Sequence, residues 1–240
     1  MEEVKIKAIV VKSADYREKD KIVTLYSLEL GLISVIIKNC RQSAYKLKFA
    51  YSTFSFAEFE IFKKDDVLFM KTATLIDNFY PLCEDYDKFV IASEIIEILN
   101  KTSSPLSPNQ ILFINTLKTL NNLTYNDVNP KIILLKYLLG VVKNGGFRLN
   151  FKVCNSCGFE YINKIFLNLG SGEFECGSCQ SPYSIFVEIK TFNLLKKINN
   201  TDVDNLGTLC EDKEVILDAI KLMELNLENR FSIKLNSKNF

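Results

Sequence analysis

Four cysteines carry the most specific chemistry in this chain of 240 residues. They fall as Cys154-x2-Cys157 and Cys176-x2-Cys179, with 18 residues between the pairs. Two residues between thiolates let one tight turn present both sulfurs to a single ion, and two such turns on facing hairpins close a tetrahedron. Gly158 follows the first pair and Gly177 lies inside the second, in keeping with tight knuckles. The spacing matches four-cysteine zinc sites, so the expected cofactor is one structural Zn²⁺, although iron in rubredoxin-like sites shares the ligand set. With thiolates at all four positions, no coordination site stays open for a catalytic water. A redox role needs only one Cys-x-x-Cys beside a βαβ pattern, and that pattern is missing. Cys40, Cys83 and Cys210 stand alone, and the odd total of seven cysteines argues against a disulfide scaffold. These three are expected to be small buried apolar side chains.

Other chemistry is scarce. Histidine is absent, which removes Ser-His-Asp and Cys-His catalysis and imidazole proton shuttles together. Gly140 and Gly145 are spaced as in a phosphate loop, but Gly146-Phe147 follows where Lys-Ser/Thr is required, and Gly170-x-Gly172 lacks a third glycine. Glu58 and Glu60 share one strand face, as solvent-facing residues do, so a carboxylate pair there is not read as catalytic. The chain is not expected to be an enzyme.

The remaining signal is charge. The net charge is only +1, yet no acidic residue lies between Leu30 and Ala57, where Lys38, Arg41, Lys46 and Lys48 all fall. Residues 1–80 hold 13 Lys/Arg against 11 Asp/Glu. Tyr45, Phe49 and Tyr51 are interleaved with these cations. Cations that follow phosphates, with rings that stack on bases, suit single-stranded nucleic acid. The plainer reading is a solvated loop whose aromatics belong to the core, where Phe54, Phe56 and Phe59 are expected whatever the function.

The elements that must position these groups change character at Pro81. Before it, Val4 to Val11, Ile22 to Tyr26, Leu32 to Ile37, Phe54 to Phe62 and Val67 to Ile76 read as five strands, with Glu29-Leu30-Gly31 and Lys63-Lys64-Asp65-Asp66 as turns. Five short strands with short connections suit a small closed barrel. After it, Tyr86 to Leu99 carries apolar residues at Phe89, Ala92, Ile95, Ile96 and Leu99, a helical period. Ser107-Pro108 reads as a second helix start, with Ile111, Ile114, Leu117 and Leu120 on its apolar face, and Asn129-Pro130 as a third running to Gly145-Gly146. Phe192 to Ile198 and Val215 to Leu227 read as two more helices, so the cysteine region at about 151–186 is an insertion within a helical domain. The fold class is α+β: a barrel domain over 1–80 and a helical domain over 81–240.

Apolar residues make up 48% of the chain and charged residues 25%, which is ordinary globular usage and sets disorder aside. The densest apolar stretch, Ile132 to Val142, is broken by Lys136 and is too short to span a bilayer. The start Met1-Glu2-Glu3 lacks the basic region of a signal peptide, so a cytoplasmic protein is expected.

Several stretches resemble the RecO family, the bacterial recombination mediators of the RecF pathway. The likeness runs from Ala8 through Tyr16-Arg17-Glu18-Lys19-Asp20 to Tyr26, then through Gly31-Leu32-Ile33-Ser34-Val35 to Lys38 and Arg41. It returns in Gly146-Phe147-Arg148-Leu149, Cys154-Asn155-Ser156-Cys157-Gly158 and Leu235-Asn236-Ser237-Lys238. The resemblance implies an N-terminal five-stranded OB-fold β-barrel followed by an α-helical domain with an inserted four-cysteine zinc ribbon. It implies binding of single- and double-stranded DNA, annealing of complementary strands, and loading of recombinase onto DNA coated by single-strand binding protein. The implied partners are RecR and the acidic C-terminal tail of that binding protein, and the implied location is the cytoplasm, at the nucleoid. The expected DNA contacts are Lys38, Arg41, Lys46, Lys48, Arg17, Lys19, Lys21 and Tyr45. Where the family often has Lys-Gly-x-Arg-Arg, this chain has Lys38-Asn39-Cys40-Arg41-Gln42, so one cation is lost and the glycine turn is altered. The competing expectation is a zinc-ribbon protein–protein adaptor with little DNA affinity of its own, which the low net charge favours.

Overall fold

The alternating N-terminal pattern folds as β1 (Glu3–Tyr16), β2 (Asp20–Ser27), β3 (Gly31–Ile37), β4 (Phe56–Lys64) and β5 (Val67–Asp77). This computed structural model describes residues 3–147, 149–161, 164–209 and 211–236; Met1, Glu2, Arg148, Cys210, Ser237 and Lys238, singled out above, lie outside them. The strands close into a barrel in the order β1-β2-β3-β5-β4, with β4 returning to β1. A closed five-stranded barrel in this order is the OB-fold. Strand β1 outruns the expected Val4–Val11 because it serves two neighbours. Glu3–Ile9 pair with β4, and after a register shift between Val10 and Lys12 the chain continues along β2 to Tyr16. Its second half is polar and held by the ladder, so apolar alternation could not reveal it. Ile6, Val10, Leu25, Val35, Phe59 and Ile61 fill the barrel.

The expected turn after β2 is built by Ser27 and Gly31. The buried Ser27 hydroxyl accepts the Glu29 and Leu30 N–H groups, each at 3.1 Å. Gly31 has φ +69, and a Cβ there would lie 2.6 Å from the Ser107 carbonyl, so both backbone conformation and close approach demand glycine.

Residues 1–120 and 121–240 form two compact units. In the first, α1 (Tyr86–Thr102) starts at Asp85, whose side chain accepts the Lys88 N–H at 3.0 Å. It buries Ala92, Ile95, Ile96 and Leu99 as expected. Phe89 instead stays 42% exposed, with its ring edge-on to Phe54 at 5.7 Å. The next helix, α2 (Gln110–Tyr125), does not start at Ser107-Pro108. Asn109 caps it by accepting the Leu112 N–H at 3.0 Å, and Pro108 lies before the cap. The apolar face turns accordingly: Ile111 and Ile114 are exposed, while Leu112, Phe113 and Leu120 are buried. Phe113 meets the rings of Tyr26 and Phe56, with centroids at 6.1 Å and 6.0 Å, so barrel packing and not the isoleucine spacing decides the face. Phe54 and Phe59 are core, and Phe56 is half-buried against Phe113. Cys40 is buried, but Cys83 is exposed, because it ends a short 3-10 turn at the surface.

In the second unit, Asn129 caps α3 (Pro130–Asn144) by accepting the Lys131 N–H at 3.0 Å. Three short strands follow, β6 (Ile165–Asn168), β7 (Glu173–Cys176) and β8 (Ser184–Val187), in an antiparallel sheet of order β7-β6-β8. The chain then forms α4 (Ile189–Asn200) and α5 (Lys213–Phe231), each longer than its apolar pattern indicates. Lys136, the charge inside the apolar stretch of α3, donates to the carbonyls of Ile198 (3.0 Å) and Asn199 (3.2 Å) at the end of α4. A cation at a helix C-terminus satisfies carbonyls that have no intrahelical partner. Among the described residues no helix is long and apolar enough to cross a membrane.

Candidate functional site

The first cysteine pair sits on a knuckle. The Cys154 N–H donates to Phe159 O at 2.8 Å, and the Gly158 N–H to Cys154 O at 2.8 Å, with Gly158 at φ +76. The second pair ends β7, where the Cys179 N–H donates to Cys176 O at 3.0 Å. Gly177, inside this pair, needs no left-handed backbone; its bare α-carbon faces the Lys164 side chain instead.

The four Sγ atoms of Cys154, Cys157, Cys176 and Cys179 lie within 4.8 Å of one another. A zinc–sulfur bond of about 2.3 Å puts tetrahedral sulfurs about 3.8 Å apart. The Cys157 and Cys176 sulfurs are 3.8 Å apart. Burial works against a charged Cys154, but the backbone N–H groups of Cys176, Cys157 and Ser156 outweigh it and bring its pKa down to about 6. Hydrogen bonds to Cys157 and Cys176 push Cys179 up to about 12. Four thiols this close cannot all ionise against their mutual repulsion, and a divalent cation removes that conflict. The donor set can therefore hold one metal ion.

What holds the knuckles was not legible as a motif. Phe174 of β7 packs on Phe192 of α4 at 5.0 Å, and Phe151 and Tyr161 complete the cluster at 5.5 Å and 5.2 Å from Phe192. Glu175, beside Cys176 and buried, accepts from Ser184 Oγ at 2.7 Å and Asn168 Nδ2 at 2.8 Å. Arg230 of α5 donates Nη2 to the Leu169 carbonyl at 2.7 Å and also to that of Gly170, which pins the β6–β7 turn.

In the first unit the two cationic segments meet. The β1–β2 turn carries Arg17 and Lys19, and the chain leaving β3 carries Lys38 and Arg41. The Arg41 N–H donates to Lys19 O at 3.1 Å, and Arg41 Nη1 to Arg17 O at 3.2 Å. The Asn39 N–H donates to Asp20 Oδ1 at 2.8 Å. Asn39 adopts φ +54, and asparagine tolerates the left-handed region better than most residues, so the turn needs no glycine here.

The eight expected contacts are not equivalent. Asp15 pairs with both Lys21 (2.6 Å) and Arg41 (3.2 Å). The Lys21 hydrogen bond holds its carboxyl below the usual aspartate range. Arg17, Lys19, Lys38, Lys46 and Lys48 are exposed and have no ion-pair partner among the described residues. Tyr45 is half-buried, stacks on Tyr51 at 6.1 Å and packs with Phe49 and Tyr51 against the barrel core. Burial pushes its hydroxyl pKa up to about 12. These loop aromatics belong largely to the core side. The sequence reading missed Asp15 as a counter-ion; the only signal was an acid just ahead of a cationic turn.

Residues 1–79 match the family described as Recombination protein O N terminal, and residues 83–239 that described as Recombination protein O C terminal. The chain is 24% identical over 231 residues to the DNA repair protein RecO of Clostridium novyi (strain NT), covering 96% of this chain and 90% of that protein. It is 25% identical over 218 residues to the DNA repair protein RecO of Caldicellulosiruptor bescii, covering 90% and 88%. Identity is 30% over 160 residues with the protein of that name from Mesoplasma florum, covering 65% and 60%. Matched by both parts of one family along nearly its whole length, the chain belongs to the RecO family of DNA repair proteins.

Proposed function

We propose that this chain is a homologous recombination mediator. It binds single- and double-stranded DNA, anneals complementary strands, and with RecR helps load recombinase onto DNA coated by single-strand binding protein. One observation carries the reading: two turns of an OB barrel, tied together by Arg41, present Arg17, Lys19 and Lys38 to solvent without carboxylate partners among the described residues. Cations so placed neutralise phosphates and lower the repulsion between two strands being paired. Residues 1–80 carry this work. Residues 81–240, with the metal insertion, supply the cationic and apolar side chains that receive the acidic tail of the binding protein, and RecR docks away from the DNA site. The ion is zinc in a structural role: it would be held by Cys154, Cys157, Cys176 and Cys179, and it supplies folding energy to the ribbon and no chemistry to the DNA. None of these steps needs nucleotide hydrolysis, and on this reading the protein works at the nucleoid.

The test is fluorescence anisotropy with labelled single-stranded DNA across a salt series, beside the double variant Lys38→Glu/Arg41→Glu. Salt-sensitive binding that the variant loses supports the reading. The pairing of Lys21 and Arg41 with Asp15, and the net charge of +1, favour a second reading, an adaptor with little DNA affinity. In that case wild type and variant bind DNA equally poorly while both retain RecR.

A further inference from the structure

The barrel's outer surface carries an aromatic pair that no cationic motif announces. Phe62 near the end of β4 and Phe69 near the start of β5 face each other in the ladder, and their rings stack at 5.5 Å with 21° between planes. Their neighbours Ile61 and Met70, also paired in register, point into the barrel core. Strand alternation therefore puts Phe62 and Phe69 outside it. Both rings are only partly buried. Outward positions on a barrel are ordinarily polar, as Glu58 and Glu60 are on the same face of β4. The ammonium of Lys38 stands 4.7 Å from the Phe69 ring centroid, so the pair adjoins the cationic turns. The nearby charges are mixed: Lys63 is paired with Asp66 at 2.7 Å, and Lys71 with Glu3 and Glu60 at 2.7 Å and 3.4 Å. Lys38 has no carboxylate partner among the described residues.

We infer that the Phe62–Phe69 pair beside Lys38 is a stacking seat for an unpaired nucleobase, which makes this face of the barrel a site for single-stranded DNA. The inference rests on the proposed DNA-binding role of the barrel and adds a strand preference to it. Phosphate contacts from Arg17, Lys19 and Lys38 hold any strand alike, because every strand carries the same backbone. A ring face beside the last cation can be used only by a base that is free of its partner. Lys38 serves both parts. Its ammonium reaches a phosphate, and its position over Phe69 sets the spacing between phosphate and base. The unpaired cations Lys38, Arg17 and Lys19 at this edge of the pair select an anionic strand over an apolar protein segment as the occupant.

The chain contains no tryptophan, so Phe69→Trp places a single reporter in the seat. Titrating the full-length Phe69→Trp protein with oligothymidylate should quench the tryptophan emission, and a closed hairpin duplex should leave it nearly unchanged. In parallel, Phe69→Leu and Phe62→Leu should weaken single-strand binding at least about fivefold. Duplex binding and the salt slope should not change, since no cation is removed. Melting curves identify any variant that has lost its fold, and the emission readout does not depend on loss of function. Unquenched emission together with wild-type single-strand affinity in both leucine variants would overturn the stacking seat while leaving a DNA-binding barrel intact. Absence of DNA binding by the wild-type protein would overturn both.

Discussion

Asp15 should act as a brake on DNA binding. Its carboxylate holds Lys21 at 2.6 Å and Arg41 at 3.2 Å, and both cations would otherwise be available to phosphates. Five cations remain unpaired on this surface among the described residues: Arg17, Lys19, Lys38, Lys46 and Lys48. If each meets one phosphate on a single strand, log K falls with log[salt] at a slope of about −3.5. Asp15→Asn frees two more, which steepens the slope to about −5 and, near 0.15 M salt, raises affinity by roughly fourfold per contact, or about fifteenfold for both. Lowering the pH does not substitute for the mutation. The Lys21 hydrogen bond depresses the Asp15 pKa, so the carboxylate stays charged at neutral pH and its pairs are lost only as pH falls through a value below 3.8. The assay is anisotropy against a labelled oligonucleotide at several salt concentrations. The pairs are at the surface, so the melting temperature should hardly move. Unchanged affinity and slope would refute the idea that Asp15 withholds these charges. A loss of affinity would show that Asp15 instead positions Arg41 for binding.

Three further outcomes are expected. Cys176→Ser should lower bound metal, read by elemental analysis, and lower the melting temperature, because the metal contributes directly to the folding of such ribbons; unchanged metal content would refute the four-cysteine site. Gly31→Ala should destabilise by about 2 kcal/mol or more in denaturant unfolding, since the new Cβ meets the Ser107 carbonyl at 2.6 Å and the backbone sits at φ +69. Glu175→Ala should cost about 1 kcal/mol or more by removing the charged acceptor shared by Asn168 Nδ2 and Ser184 Oγ, which keep only their bonds to Ser181, and should weaken metal retention against a chelator.

The parts of the fold that the sequence made legible are those set by local chemistry. Cysteine spacing pointed to the metal ligands because a knuckle needs two residues between its sulfurs. Asn129-Pro130 marked a helix start because its cap and its proline are both local. The parts that escaped depend on distant partners. Nothing near Ser107-Pro108 tells that Asn109 takes the cap, and the buried face of α2 is chosen by the rings of Tyr26 and Phe56, far away in sequence. The polar second half of β1 is a strand only because β2 pairs with it. In the candidate DNA surface, the cations were visible as a run without acids, but their counter-ion lies on another strand. Phe62 and Phe69 were visible only as aromatics; their outward placement follows from the register of β4 on β5.

The most direct measurement is photocrosslinking of full-length protein to single-stranded DNA carrying a halogenated uracil, followed by mass spectrometric mapping. A barrel-borne DNA site predicts adducts in peptides spanning 16–21, 38–51 and 62–71. Adducts confined to residues 121–240, with none on the barrel, would contradict it.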